Sequence, residues 1–100
     1  MWVDFYSVED NRTYELNLSA LPYISIPRET LKQMKDILEY DAVGRIYEAV
    51  CEYIYDDKEP SLKDKAEKSF FNTIIEQIAR LSFNYLKKIS RLKNQNGKLK

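Results

Sequence analysis

From Ser61 to Lys93 the chain carries neither proline nor glycine, and apolar residues recur at Phe71, Ile74, Ile75, Ile78, Leu81, Tyr85, Ile89 and Leu92. Steps of three and four residues keep these side chains on one face of an α-helix. A helix over 61–93 would run roughly 48 Å at the usual rise of about 1.5 Å per residue. A domain of 100 residues has a radius of gyration of only about 13 Å. The far end of this helix is therefore expected to project beyond the body. Ser61 is the expected cap, with Asp64 in the reciprocal capping-box position. The tail over 94–100, NQNGKLK, reads as frayed.

The rest of the chain supplies what packs on that helix. Residues 2–7 (WVDFYS) and 13–18 (TYELNL) alternate apolar and polar, and Asp10-Asn11 lies in the VEDNR loop between them. The pattern predicts a β-hairpin over about 2–18, with Trp2, Phe5, Tyr14, Leu16 and Leu18 offered as its buried side. A lone hairpin is marginal in water, so it must lie on helices. Pro22 and Pro27 keep 19–27 irregular, with room for a short strand at 23–26. Pro27 suits a helix start, and Leu31, Met34, Ile37 and Leu38 place a first helix at about 27–40. A second, over 41–56, opens at Asp41 as its cap and carries the stripe Val43, Ile46, Tyr47, Val50, Cys51 and Ile54. Gly44 inside it points to close approach of a neighbour. The reading is one domain over 1–100, α+β and mainly α: an N-terminal hairpin on a three-helix body with a long C-terminal helix.

Composition removes whole classes of chemistry. The chain has no histidine, hence no common general base or metal ligand. Its single cysteine, Cys51, forms no internal disulfide and no thiolate zinc site, and is expected in the core. Two glycines, Gly44 and Gly97, draw no phosphate-binding loop. The acids Glu48, Glu52, Asp56, Asp57 and Glu59 lack the spacing of a calcium loop and read as a solvated turn. No catalytic residue, cofactor site, metal site or small-molecule substrate is indicated, and an enzyme is not expected. No apolar run approaches the roughly 20 residues of a membrane span, and the first ten residues lack the basic stretch of a signal peptide. A cytoplasmic protein is the expectation.

Charge is balanced overall and uneven along the chain. Residues 1–60 hold thirteen acids and six bases; residues 61–100 hold three acids and ten bases. From Arg80 onward there are seven bases and no acid. Such polarity bears on partners rather than on fold.

An ordered series now stands out: Gly44-Arg45-x-x-x-Ala49-x-x-x-Tyr53, then Glu59-Pro60, then Phe71-x-x-Ile74-x-x-Gln77-x-x-Arg80-x-x-x-x-Tyr85, ending in a basic segment with Asn and Gly, Arg91 to Gly97. Over about residues 30–97 this resembles a small uncharacterised domain of prophage-encoded proteins of Gram-positive bacteria, often found near phage replication genes. The resemblance implies a phage or mobile-element origin, a bacterial host cell, a winged-helix-like or three-helix body, and no catalytic activity. The family usually has glycine where Asp57 stands, a polar stretch where Ile78-Ala79-Arg80-Leu81-Ser82-Phe83 stands, and a different N-terminal segment.

Three functional readings follow. The first is an interaction protein that binds and modulates a bacterial or phage protein, such as a host defence nuclease (a CRISPR effector, for instance) or the replication machinery. Apolar excess on the third helix makes Leu81, Phe83 and Leu86, with the hairpin face, its candidate contact set, unless the hairpin itself covers them. The second is an accessory domain binding DNA or RNA without sequence preference, with Lys87, Lys88, Arg91 and Lys93 on phosphates. The same cations also suit a solvated helix C-terminus. The third is a homodimer built by antiparallel third helices, which sets the basic half of one copy on the acidic half of the other. Tyr40, Tyr53 and Tyr55 are further contact or base-stacking candidates, against packing with their hydroxyls at the rim.

Overall fold

The computed structural model describes residues 1–98, with side chains through residue 89. Two strands, β1 (Trp2–Ser7) and β2 (Arg12–Asn17), form an antiparallel hairpin. A 3-10 turn (Leu18–Ala20) leads into irregular chain, followed by α1 (Arg28–Ile37), α2 (Tyr40–Tyr55) and α3 (Lys65–Lys98). The architecture is α+β and mainly α, as the sequence indicates.

Ser7 faces Arg12, and the four residues 8–11 make the turn. Asn11 takes a left-handed conformation (φ 51°), which asparagine tolerates better than most residues. Tyr14 Oη donates to Asp10 Oδ2 (2.7 Å) and Tyr6 Oη donates to Asn11 Oδ1, so the turn is held from both strands. The register pairs Val3 with Leu16 and Phe5 with Tyr14, and these side chains turn inward. Trp2 was expected beside Phe5 on the buried side, yet it is 64% exposed. The two stand three positions apart, and a period of two sends them to opposite faces.

The periodic pattern misplaces several helix ends. The first two helices are separated only by Leu38 and Glu39, with Leu38 extended (φ −111°, ψ 154°) and half-buried against the core. Glu39, not Asp41, occupies the cap position of α2, and Asp41 sits in the first turn, where its charge favours the helix dipole. At the start of α3 the capping-box spacing occurs twice in overlap, at Ser61/Asp64 and at Asp64/Glu67. The fold uses the second: Asp64 Oδ1 accepts from the N–H groups of Ala66 (2.9 Å) and Glu67 (3.1 Å). No strand forms over 23–26. The helix expected to end near Lys93 continues through Lys98, so the backbone of 94–98, expected to fray, is helical, and residues 99–100 lie outside the described residues.

The core lies between α2 and α3, with Ile46, Val50, Ile54, Ile74 and Ile78 at 0–1% exposure. Tyr53 meets Phe71 edge to face at 5.5 Å. Met34 anchors α1 there, and buried Thr30 receives a hydrogen bond from Gln77 Nε2 (3.0 Å), tying α1 to α3. The hairpin lies on the middle of α3, where Phe83 stacks on Phe5 (centroids 4.9 Å apart) and touches Tyr14 (5.0 Å). The helix runs on past Tyr85 without a break, and the molecule measures 55 × 25 × 25 Å. Its radius of gyration, 15.8 Å, exceeds the compact value for this length because of α3.

Three smaller expectations are corrected. Gly44 has nothing within 4 Å of where a Cβ would stand, so no neighbour requires it. Tyr47 is not in the core but 56% exposed, and Cys51 is half-buried at the rim.

Candidate interaction surfaces

The exposed surface of α2 divides into two strips with different chemistry. Tyr40, Gly44, Tyr47, Cys51 and Tyr55 follow at steps of four and three residues, which sets them on one face. None is charged, and the tyrosines are 84%, 56% and 51% exposed. Beside this strip runs a second one, Asp41, Arg45, Glu48 and Glu52. Arg45 is turned back onto the body: Nε and Nη2 reach the two carboxylate oxygens of Glu67 at 2.9 and 3.3 Å. That hydrogen bond, against the opposing effect of burial and with the charges of Glu67, Asp41 and Asp64, holds the guanidinium proton more tightly than usual. Glu52 pairs with Lys58 (3.3 Å), while Asp41 and Glu48 are exposed and have no ion pair among the described residues. Residues 36–57 carry seven acids and one base, so α2 presents aromatic rings beside negative charge.

The turn after α2 is structural. Asp57 adopts the left-handed conformation (φ 53°) that the resemblance assigns to glycine, and the Lys58 N–H returns to the Glu52 carbonyl (3.2 Å). The Asp57 carboxylate lies 3.1 Å from the Met1 nitrogen, which also donates to the Ile54 carbonyl (3.0 Å). Tyr53 is half-buried, and burial followed by the charge of Glu59 raises its hydroxyl pKa. It is packing, not contact surface.

A second surface is a shallow groove of about 720 Å³ between the hairpin end and α3. Tyr6 and Val8 form one wall; Arg80, Asn84, Lys87 and Lys88 form the other. The three cations and Asn84 fall at 80, 84, 87 and 88, one helical face. Lys87 is drawn to the hairpin loop, with Nζ 3.0 Å from Glu9 Oε2 and 5.9 Å from the centre of the Phe83 ring. Lys88 and Arg80 are exposed.

The residues proposed from sequence fare unevenly. Phe83 is taken up by the hairpin and Leu81 is half-buried against the core, so only Leu86, at 44% exposure, remains outside. The apolar excess at Leu81 and Phe83 is taken up by internal packing. Lys87 and Lys88 do share a surface; Arg91 and Lys93 lie outside the residues whose side chains are described. Arg80 and Asn84 were not proposed. Their role depends on a hairpin wall about 75 residues away in sequence, which spacing along one helix does not report. The strip on α2 was legible in its 4, 3, 4, 4 spacing but was masked by assigning Tyr47 to the core.

Among the described residues, no group of three or more acidic or cysteine side chains is placed to hold a metal ion. No helix among them is long and apolar enough to cross a membrane. No family model matches the chain, and neither a curated protein nor a solved structure matches it.

Proposed function

We propose that this chain is a protein-binding module that acts through the tyrosine-bearing face of α2 and carries out no catalysis of its own. The observation that carries the reading is the uncharged strip Tyr40, Gly44, Tyr47, Cys51 and Tyr55, exposed at every position but half-buried Cys51, on a helix whose other side is core. Tyrosine gives large, rigid, amphipathic contact area at low entropic cost, and it is enriched where binding energy concentrates. Gly44 leaves open space between two rings, through which a partner's backbone can approach. On the resemblance to the prophage domain, the bound protein is a bacterial or phage one, and occupying its surface would modulate a defence nuclease or the replication machinery.

The test is a photo-crosslinking side chain at position 47, compared with one at exposed Lys68, in bacteria producing the chain. Discrete adducts from position 47 and none of the same size from position 68 support the reading. An equal pattern from both sites, or no adduct from position 47, refutes it.

A second reading rests on the groove, where Arg80 and Lys88 lie across from exposed Tyr6. Cations beside an aromatic ring suit a phosphate backbone with a stacked base. Anisotropy of labelled single- and double-stranded DNA tests it. Binding that falls steeply with salt and is lost in Arg80→Glu/Lys88→Glu supports it, and absence of binding at low salt removes it.

A further inference from the structure

The reading of α2 as a docking face leaves its occupant open, and the chain itself carries a surface of complementary chemistry. The α2 strip offers tyrosine rings beside the acids Asp41 and Glu48. The groove between hairpin and α3 offers Tyr6 and Val8, 54% and 83% exposed, across from Arg80, Lys87 and Lys88. Each has an apolar strip, and each carries the charge opposite to the other's. The imbalance extends through the sequence, thirteen acids to six bases in residues 1–60 and three to ten in residues 61–100, so both halves of a contact are present in equal amount.

We infer that, in the free protein, α2 of one copy lies in the hairpin–α3 groove of a second copy, and that the exchange is reciprocal in a closed pair. This rests on reading α2 as a docking face. Charge complementarity sets the pairing: Asp41 and Glu48 of one copy meet Arg80 and Lys88 of the other, while tyrosines meet Tyr6 and Val8. Area sets the stoichiometry. Three tyrosines of about 200 Å² each, weighted by exposure, offer about 400 Å². A stable interface takes about 800 Å² per partner. One α2 seated in one groove supplies roughly half of that, and two reciprocal contacts reach it. A protein that uses the α2 face must then displace the second copy, so the pair is a resting state in which the face is covered.

The test is a charge exchange followed by sedimentation velocity across micromolar concentrations at low and physiological salt. Two full-length variants are used, Asp41→Lys/Glu48→Lys on α2 and Arg80→Glu/Lys88→Glu in the groove. All four positions are exposed, and circular dichroism confirms that each variant folds. The wild-type chain is expected to form a dimer that weakens with salt, each variant alone to associate about tenfold or more weakly, and an equimolar mixture to recover the dimer. A wild-type chain that stays monomeric at every concentration overturns the inference, as does a dimer indifferent to both reversals. Neither result touches the α2 docking reading itself, which stands or falls on the crosslink from position 47.

Discussion

Replacing Phe83 with alanine removes the ring that joins the hairpin to α3. The ring is half-buried, stacks on Phe5 at 4.9 Å and meets Tyr14 at 5.0 Å. Full burial of a phenylalanine side chain contributes about 1.5–3 kcal/mol, so half of that is about 1–1.5 kcal/mol. Two aromatic contacts add roughly 0.5–1.5 kcal/mol each where the geometry is good. The expected loss is about 2–4 kcal/mol, out of a total stability of roughly 5–15 kcal/mol for a chain of this size. Since a hairpin alone is marginal, the loss should fall first on β1 and β2. Urea denaturation gives the magnitude, and hydrogen exchange gives the location: amides of β1 and β2 should lose protection before those of α2. A change below about 0.5 kcal/mol with hairpin protection intact would refute the packing account and return Phe83 to the surface candidates.

Other consequences follow from the same packing. Gly44→Ala meets open space in mid-helix and should raise stability by about 1 kcal/mol in urea denaturation; a loss would mean that the site is crowded after all. Arg45→Met leaves the buried Glu67 carboxylate without its guanidinium and should lower the unfolding midpoint, with Arg45→Lys restoring only part because an ammonium lacks the two-pronged geometry. Stability should fall as pH rises above the ordinary tyrosine value of 10.0, because Tyr53 (burial first, then Glu59) and Tyr14 (its hydrogen bond to Asp10 first) hold their protons in the folded state beyond that pH. The unfolded chain gives up those protons first, so the contribution is complete below pH 10.0 and is lost through the raised folded values. Urea midpoints on either side of that pH should show the fall, and Tyr53→Phe should reduce it.

Periodicity alone determines the long helix and the hairpin, since burial selects one face of each, and in α2 it finds Ile46, Val50 and Ile54 but wrongly adds exposed Tyr47. It does not determine where one helix yields to the next. Residues 31–38 continue a helical pattern through Leu38, and the break there comes from a tertiary contact that turns Leu38 inward. Ser61/Asp64 and Asp64/Glu67 are equivalent on paper; the fold takes the second, and Glu67 there pairs with Arg45 of α2. Trp2 was misplaced by composition, because a large ring suggests burial, when strict alternation from Phe5 already sent it outward. The interaction surfaces divide the same way. The α2 strip lies within one helix and its spacing is visible in the sequence. The groove brings Tyr6 and Val8 to Arg80 and Lys88, and only the folded hairpin makes that juxtaposition.

Cys51 gives the most direct measurement. It is the chain's only cysteine, it is half-buried, and it sits in the α2 strip between Tyr47 and Tyr55. A small thiol reagent therefore reads how often this face is open. If α2 is the docking face and a second copy covers it, the labelling rate of the wild-type chain falls as protein concentration rises, while that of Arg80→Glu/Lys88→Glu stays at the open rate throughout. A wild-type rate that does not change with concentration, in a sample that sedimentation shows to be dimeric, would mean that the copies meet elsewhere and that α2 is not the contact.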